Sequence, residues 1–332
     1  MIFVSVNYRL GTYGFLAGTT VEKHMTPNAG LWDQRAAFQW VQDHIHLVGG
    51  DKTQVTAMGE SAGAGSIMHH LVAKGGKQDP LFKRAILQSP AYQLMWDRKG
   101  PKVQGVFERL AELAGCSTKT KKEEEEAVKC LRGLDASKLA KAHMDLNAQQ
   151  PPGIGAVGPT PDGDFIRQMP QLELAQGNFW KGVESVVLSH VKDEAGLFVT
   201  GAVRTDKQFG ELLDSAWPAS ARTAGVCKKV EEFYPSPAAA VKGGYASGVG
   251  KRRYGSQTER VTAFTRDALF TCNVRCKFWF ILSLPFTPFF PSAFSHHMKS
   301  RLSRGFRLHK EPDLVLLLYF ISPSTLWSRR QA

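Results

Sequence analysis

Gln54-Val-Thr-Ala-Met-Gly-Glu-Ser61-Ala-Gly63 and the run behind it, Ala62 to Ala73, decide how this sequence is read. Gln54 to Met58 is short and carries β-branched Val55 and Thr56, which predicts a strand. Ala62 to Ala73 contains helix formers with one apolar face, which predicts a helix. Between them, Gly59-Glu60-Ser61-Ala62-Gly63 fits G-x-S-x-G, the pattern of a serine on a strained strand-to-helix turn. Three fixed positions recur by chance; the strand before and the helix after make the match specific. Such a turn exposes the Ser61 hydroxyl at a sheet edge above a helix N-terminus. It also aims the Ala62 backbone N–H at the place where a tetrahedral oxyanion would form, so Ser61 is a candidate nucleophile and Ala62 a candidate oxyanion donor.

Outward from this turn the pattern repeats. Ile2 to Val6 is a mainly β-branched and aromatic run, as expected of a strand covered on both faces. Leu31 to His46 has apolar residues broadly at helical spacing and stops at Gly49-Gly50. Arg84 to Gln88 and Val186 to Ser189 are further strands, while Pro101 to Trp180 is mostly helix and loop, with Thr118 to Glu126 expected as a solvated lysine- and glutamate-rich loop. Strands alternating with helices argue for an α/β protein with a mostly parallel sheet and helices on both faces. The expected division is a fold domain over residues 1–275 and a basic, aromatic tail over 276–332, disordered or the product of a frame change or retained intron. That tail opens with an apolar run broken by Pro285, Pro288 and Pro291, shorter than the ~20 apolar residues a membrane helix needs.

Composition excludes several classes. The 332 residues are 43% hydrophobic and 22% charged, enough for a large core. Of the formal net charge of +12, the stretch from Arg275 onward carries +7, which leaves only +5 for the first 274 residues. No nucleic-acid motif accompanies the basic tail, so nucleic acid is not an expected partner. None of the five cysteines stands in a C-x-x-C arrangement, so neither a metal nor another cofactor is expected. From spacing alone, Cys116 and Cys130 are equally compatible with a bridge and with two separate thiols. No signal peptide precedes Ile2, and the chain opens inside a strand, which is expected of a chain lacking an N-terminal portion.

A series of motifs resembles the type B carboxylesterase and lipase family, which includes the cholinesterases. They are Asn7-Tyr-Arg-Leu10 with Gly14-Phe15, Asn28-Ala-Gly-Leu-Trp-Asp-Gln34, Trp40-Val41, Gly49-Gly-Asp51, Val55-Thr56 and the Ser61 turn. Ile86-Leu-Gln-Ser89, Cys130-Leu-Arg132, Asp162-Gly-Asp164, Lys192-Asp-Glu194 and Asp267-Ala-Leu-Phe270 are similar to later landmarks of that family. The resemblance runs to about Arg275. It implies the α/β-hydrolase fold, hydrolysis of a small-molecule or lipid carboxylic ester through an acyl-enzyme on Ser61, secretion, and a Cys116–Cys130 bridge. It implies Glu194 as the acid of the triad, although Ala195 stands where the family has glycine, and it likens Ser89 to a buried serine near that acid. Glu194 also follows a strand and lies after the serine in the chain, as this fold requires.

The imidazole that takes the serine proton should follow Glu194. His296, His297 and His309 lie beyond it, all past the end of the resemblance. His309, with Asp313 and Leu314 to Phe320 behind it, only loosely matches the family's pattern. The family's glycine-rich oxyanion loop should precede residue 1. A weakly active or inactive polypeptide is therefore the expectation, with a noncatalytic hydrolase-fold binding module as the alternative. Trp96 and Phe198 are read as core residues that could line a pocket.

Overall fold

The computed structural model describes residues 1–91, 96–150, 155–191, 193–199, 201–216, 224–243, 245–247, 250–252, 254–271, 273–274 and 316–320. Strand β1 (Phe3–Ser5) leads into α1 (Gly11–Phe15), α2 (Thr19–Glu22) and the long α3 (Ala29–His44). Then follow β2 (Val55–Glu60), α4 (Ala62–Leu71), the one-turn α5 (Ala73–Gly76) and β3 (Arg84–Gln88). The helices α6 (Pro101–Leu113), α7 (Lys121–Gly133), α8 (Ala136–Ala148) and α9 (Pro170–Ala175) separate β3 from β4 (Ser185–Ser189). Beyond β4 lie α10 (Asp206–Ala216), α11 (Val226–Phe233), α12 (Pro237–Gly243), the hairpin β5 (Tyr245–Ser247) and β6 (Gly250–Arg252), α13 (Gln257–Arg266) with a π-turn after it, and β7 (Leu316–Phe320).

Five strands form one parallel sheet in the order β1-β7-β2-β3-β4. The alternation read from the sequence thus yields the expected parallel α/β sheet. Strand β7 belongs to the stretch set apart in the sequence, and it lies inside the sheet, between β1 and β2. It pairs Leu317 with both Phe3 and Thr56.

The main core forms where α3 and α4 meet one sheet face. Phe38 and Val41 from α3, Ile45 just after it, and Ile67, Met68 and Leu71 from α4 pack on Val55, Ala57, Ala85 and Leu87. Two features differ from expectation. Strand β1 is not covered on both faces, because Ile2, Val4 and Val6 point to this core while Phe3 and Ser5 are exposed. Strand β4 behaves alike, with Val187 exposed, so the flanks of the sheet carry a helix layer on one face among the described residues. The period of two in side-chain direction makes this half-burial natural for a flanking strand.

The second difference is helix α7, which starts inside the expected loop. Thr120 and Glu123 form a reciprocal capping box: the Glu123 N–H donates to Thr120 Oγ1 at 3.2 Å and the Thr120 N–H to Glu123 Oε2 at 2.9 Å. The T-x-x-E spacing was the available signal, masked by the density of charge. A disulfide joins Cys116 to Cys130 across this turn, with the Cα atoms 6.0 Å apart, as the resemblance implied. Around it, Phe107, Leu110, Val128, Leu131 and Leu146 make a second core from α6, α7 and α8.

The early motifs prove to be scaffold. Arg9 grips Asp33 with two side-chain hydrogen bonds of 2.8 and 2.7 Å. Buried Asn28, left-handed at φ 54°, donates to the Thr160 carbonyl and accepts from the Thr160 N–H, and also reaches Asp162. A Cβ at Gly30 would stand 2.5 Å from the Arg9 carbonyl oxygen, so only glycine lets α3 approach the loop after β1.

Candidate active site

Ser61 stands between β2 and α4 at φ 55°, ψ −121°, a conformation an L-residue holds only under tertiary constraint. The constraint is visible. Its N–H donates to the Gln88 carbonyl of β3 at 2.9 Å, and its own carbonyl accepts from the N–H groups of Gly65 at 3.0 Å and Ala91 at 3.2 Å. Gly59 is required by contact: a Cβ there would lie 2.6 Å from the Gly63 carbonyl carbon and 2.8 Å from the Ala64 nitrogen. Ser61 is half-buried and Ala62, the first residue of α4, is exposed. At that position a backbone N–H has no acceptor inside its own helix and is left for a ligand.

Glu60, Gln88 and Ser189 end β2, β3 and β4 in one register. The loops carrying Ser61, Ser89 and Glu194 therefore leave the same carboxyl edge of the sheet, and Ser61 and the Glu194 loop are two strand spacings apart, about 10 Å. The Glu194 carboxylate accepts from its own Val191 N–H at 2.8 Å, and the neighbouring Ala195 is fully buried. Burial, and after it the charge of Glu194, hold the Glu60 carboxyl above its ordinary pKa. Ser89, between the two loops, donates its N–H to the Ser189 carbonyl at 2.8 Å; it is left-handed at φ 46° and half-buried rather than buried.

Among the described residues no hydrogen bond joins a histidine to Ser61 or Glu194. His296, His297 and His309, like Lys192 of the Lys-Asp-Glu motif, lie outside the described residues. His309 precedes by seven positions a strand that starts level with Val55, at the sheet edge away from Ser61. His190 is bound to its neighbouring loop carbonyl, Val191 O, at 2.8 Å.

His69 and His70 are buried in α4, and His70 shares a hydrogen bond of 3.0 Å between Nε2 and Gln34 Oε1. Burial pushes the His70 imidazole down to about 3, so it is neutral and structural. Gln34 also donates to Ser66, whose hydroxyl donates to the Ala62 carbonyl, so a polar relay braces the first turn of α4 from α3. Neither Glu60 nor this relay was read from the sequence; Glu60 was in plain view inside the motif, whereas the Gln34–His70 pair spans 36 positions with no local signal.

Trp96 is half-buried under the Lys102 ammonium, 3.4 Å from the ring centroid, and Phe198 stacks on Phe270 at 5.6 Å. No group of three or more histidine, cysteine, aspartate or glutamate side chains among the described residues could hold a metal ion.

Comparison with known proteins bears on the same residues. The profile of the carboxylesterase family matches residues 1–325. A secreted lipase of Arthroderma benhamiae is 41% identical over 275 residues, 82% of this chain and 48% of the lipase. The carboxylesterase patB of Aspergillus clavatus is 34% identical over 280 residues, 83% of this chain and 46% of its own. Among solved structures, Aspergillus niger EstA superposes with a TM-score of 0.60 at 26% identity, over 81% of this chain and 48% of EstA. The chain spans about half the length of the curated relatives it matches.

Proposed function

Because this chain belongs to the carboxylesterase family, we propose that it carries the nucleophile half of a carboxylic ester hydrolase, with Ser61 as nucleophile, Glu194 as triad acid and the Ala62 N–H as one oxyanion donor. The observation that carries this reading is the Ser61 backbone, held at φ 55° by its hydrogen bonds with Gln88, Gly65 and Ala91 in a turn where a side chain at Gly59 would clash with Gly63. In the proposed reaction Ser61 Oγ attacks the ester carbonyl as a histidine takes its proton. The tetrahedral oxyanion faces the Ala62 N–H and the N-terminal end of α4. Collapse expels the alcohol, which receives that proton, and leaves an acyl-serine that water then hydrolyses. Glu194 orients the histidine, which this reading seeks outside the described residues. No cofactor enters the scheme.

The substrate is a small-molecule or lipid ester, since the similar proteins are named lipases and carboxylesterases. Secretion is proposed from the relative described as a secreted lipase and from the Cys116–Cys130 bridge, a bond that persists in oxidising compartments. No helix among the described residues is long and apolar enough to cross a membrane. The division at residue 275 stays a proposal; it has to accommodate a family profile that runs on to residue 325 and a strand, β7, that pairs with β1 and β2 from beyond that boundary.

The alternative reading is a noncatalytic hydrolase-fold binding module. A fluorophosphonate separates the two, because only an activated serine reacts. The expected outcome is a phosphonate on the Ser61 peptide by mass spectrometry, absent in Ser61→Ala and slowed by roughly 100-fold or more in Glu194→Gln. A folded chain that takes up no label would overturn the catalytic assignment.

A further inference from the structure

Away from the elbow, α1 closes over a cavity of about 200 Å³ whose far walls are α6 and α7. Its lining is almost wholly apolar, from Phe107 and Leu110 on α6 and Val128 and Leu131 on α7, and neither Ser61 nor Glu194 contributes to it. Three further lining residues, Arg9, Thr12 and Arg132, break that character. Thr12 is 4% exposed, and its Oγ1 has no hydrogen-bond partner, so one wall offers a buried hydroxyl with unmet capacity. Arg132 is exposed, and its Nη2 donates to the His24 carbonyl at 2.6 Å.

The two arginines of the lining are not equivalent. Arg9 is neutralised by Asp33. Arg132 has no carboxylate partner among the described residues and keeps its remaining guanidinium donors for one. The wall that carries it is pinned, because the Cys116–Cys130 bridge ties α7 to the end of α6 two residues before Arg132.

We propose that this cavity binds a medium-chain aliphatic carboxylate, with its chain between α6 and α7 and its carboxylate on Arg132. Three observations meet in that ligand. The apolar walls favour a hydrocarbon chain over water, as dry engineered cavities of about 150 Å³ take up benzene, and the present volume has room for roughly six to ten carbons. The Arg132 guanidinium at the rim, which has no carboxylate partner among the described residues, selects a carboxylate over a neutral head. The Thr12 hydroxyl gives a second polar contact at the wall. The assignment stands apart from the chemistry at Ser61, since it invokes none of the elbow residues.

Octanoate is the probe, with 1-octanol as the uncharged control, titrated calorimetrically into the full 332-residue chain. The Ser61→Ala form is used so that turnover and acyl transfer play no part. Octanoate is expected to bind at least tenfold more tightly than octanol. Arg132→Gln, an exposed substitution that leaves the core untouched, should remove that preference while octanol binding persists. Leu110→Trp, confirmed as folded by circular dichroism, should abolish binding of both by filling the cavity. Absence of octanoate binding, or binding unchanged in both variants, would overturn the proposal. Failure of phosphonate labelling at Ser61 would leave this result unaffected, so the two readings fail separately.

Discussion

Ser61 and His70 show how much a single residue's environment decides. Ser61 occupies backbone angles that cost about 1–3 kcal/mol at a non-glycine residue, and the surrounding hydrogen bonds hold it there. The glycine spacing was legible because the requirement is local: any Cβ at Gly59 meets the first turn of α4. His70 was not legible. A histidine at the end of an apolar helix face gives no sign that its ring is enclosed by Phe38 and Phe165, with Gln34 on Nε2. Its enclosure has a consequence for acid stability. The folded imidazole titrates at about 3 against 6.5 for the ordinary group, pushed down by burial and then by Arg35 and His69. Between those values the unfolded chain binds more protons, so this contribution is whole above pH ~6.5 and is lost as pH falls toward ~3, by up to about 1.4 kcal/mol per pH unit. Urea midpoints measured from pH 7 down to pH 4 should therefore fall more steeply for the native chain than for His70→Gln, which carries no titrating group at that position.

At the scale of elements, strands and amphipathic helices were read to within a few residues, because period and punctuation are local. Strand β3 was placed at Arg84–Gln88 as found, and α3 begins two residues earlier than expected because left-handed Asn28 caps the chain in place of a conventional side-chain cap. The miss was α7, whose first turn holds Lys121, Lys122, Glu123 and Glu124 and reads as solvated loop. Lys121 and Lys122 are indeed exposed, while Glu123 and Glu124 are half-buried; the helix is held by its capping box, by burial of Ala127, Val128 and Leu131, and by the bridge through Cys130. Closing a loop of this length contributes roughly 3 kcal/mol in the chain-entropy account. Chemical denaturation of Cys130→Ser is expected to show a loss of that order, with helix content retained in the native baseline.

For the whole molecule, the decisive fact is that the last described strand sits between the first two. Strand β1 has no other described partner than β7, and β2 would lose one of its two neighbours without it. Removing an interior strand opens two ladders and exposes two edges, a state prone to aggregation. A chain ended at residue 315 is expected to be less soluble and to melt several degrees lower than residues 1–332, with amide exchange in β1 accelerated most. Equal melting temperatures for the two would count against the pairing of β7 with β1 and β2. Nothing in Leu316 to Phe320 announces its neighbours, because a run of apolar residues states that it is a strand and not where it pairs.

What this sequence determined by itself is what neighbouring residues enforce on one another: the strand-turn-helix around Ser61, the glycines that permit it, the family landmarks, and a parallel α/β plan. The tertiary structure alone decided the meetings of residues far apart in the chain. These are the common sheet edge from which the Ser61 and Glu194 loops leave, the burial of His70 against Gln34, the seat of β7 between β1 and β2, and the cavity between α1, α6 and α7. The reason is physical: local geometry follows from dihedral preference and side-chain period, whereas each long-range contact depends on a closed loop whose ends are brought together by the sum of the packing.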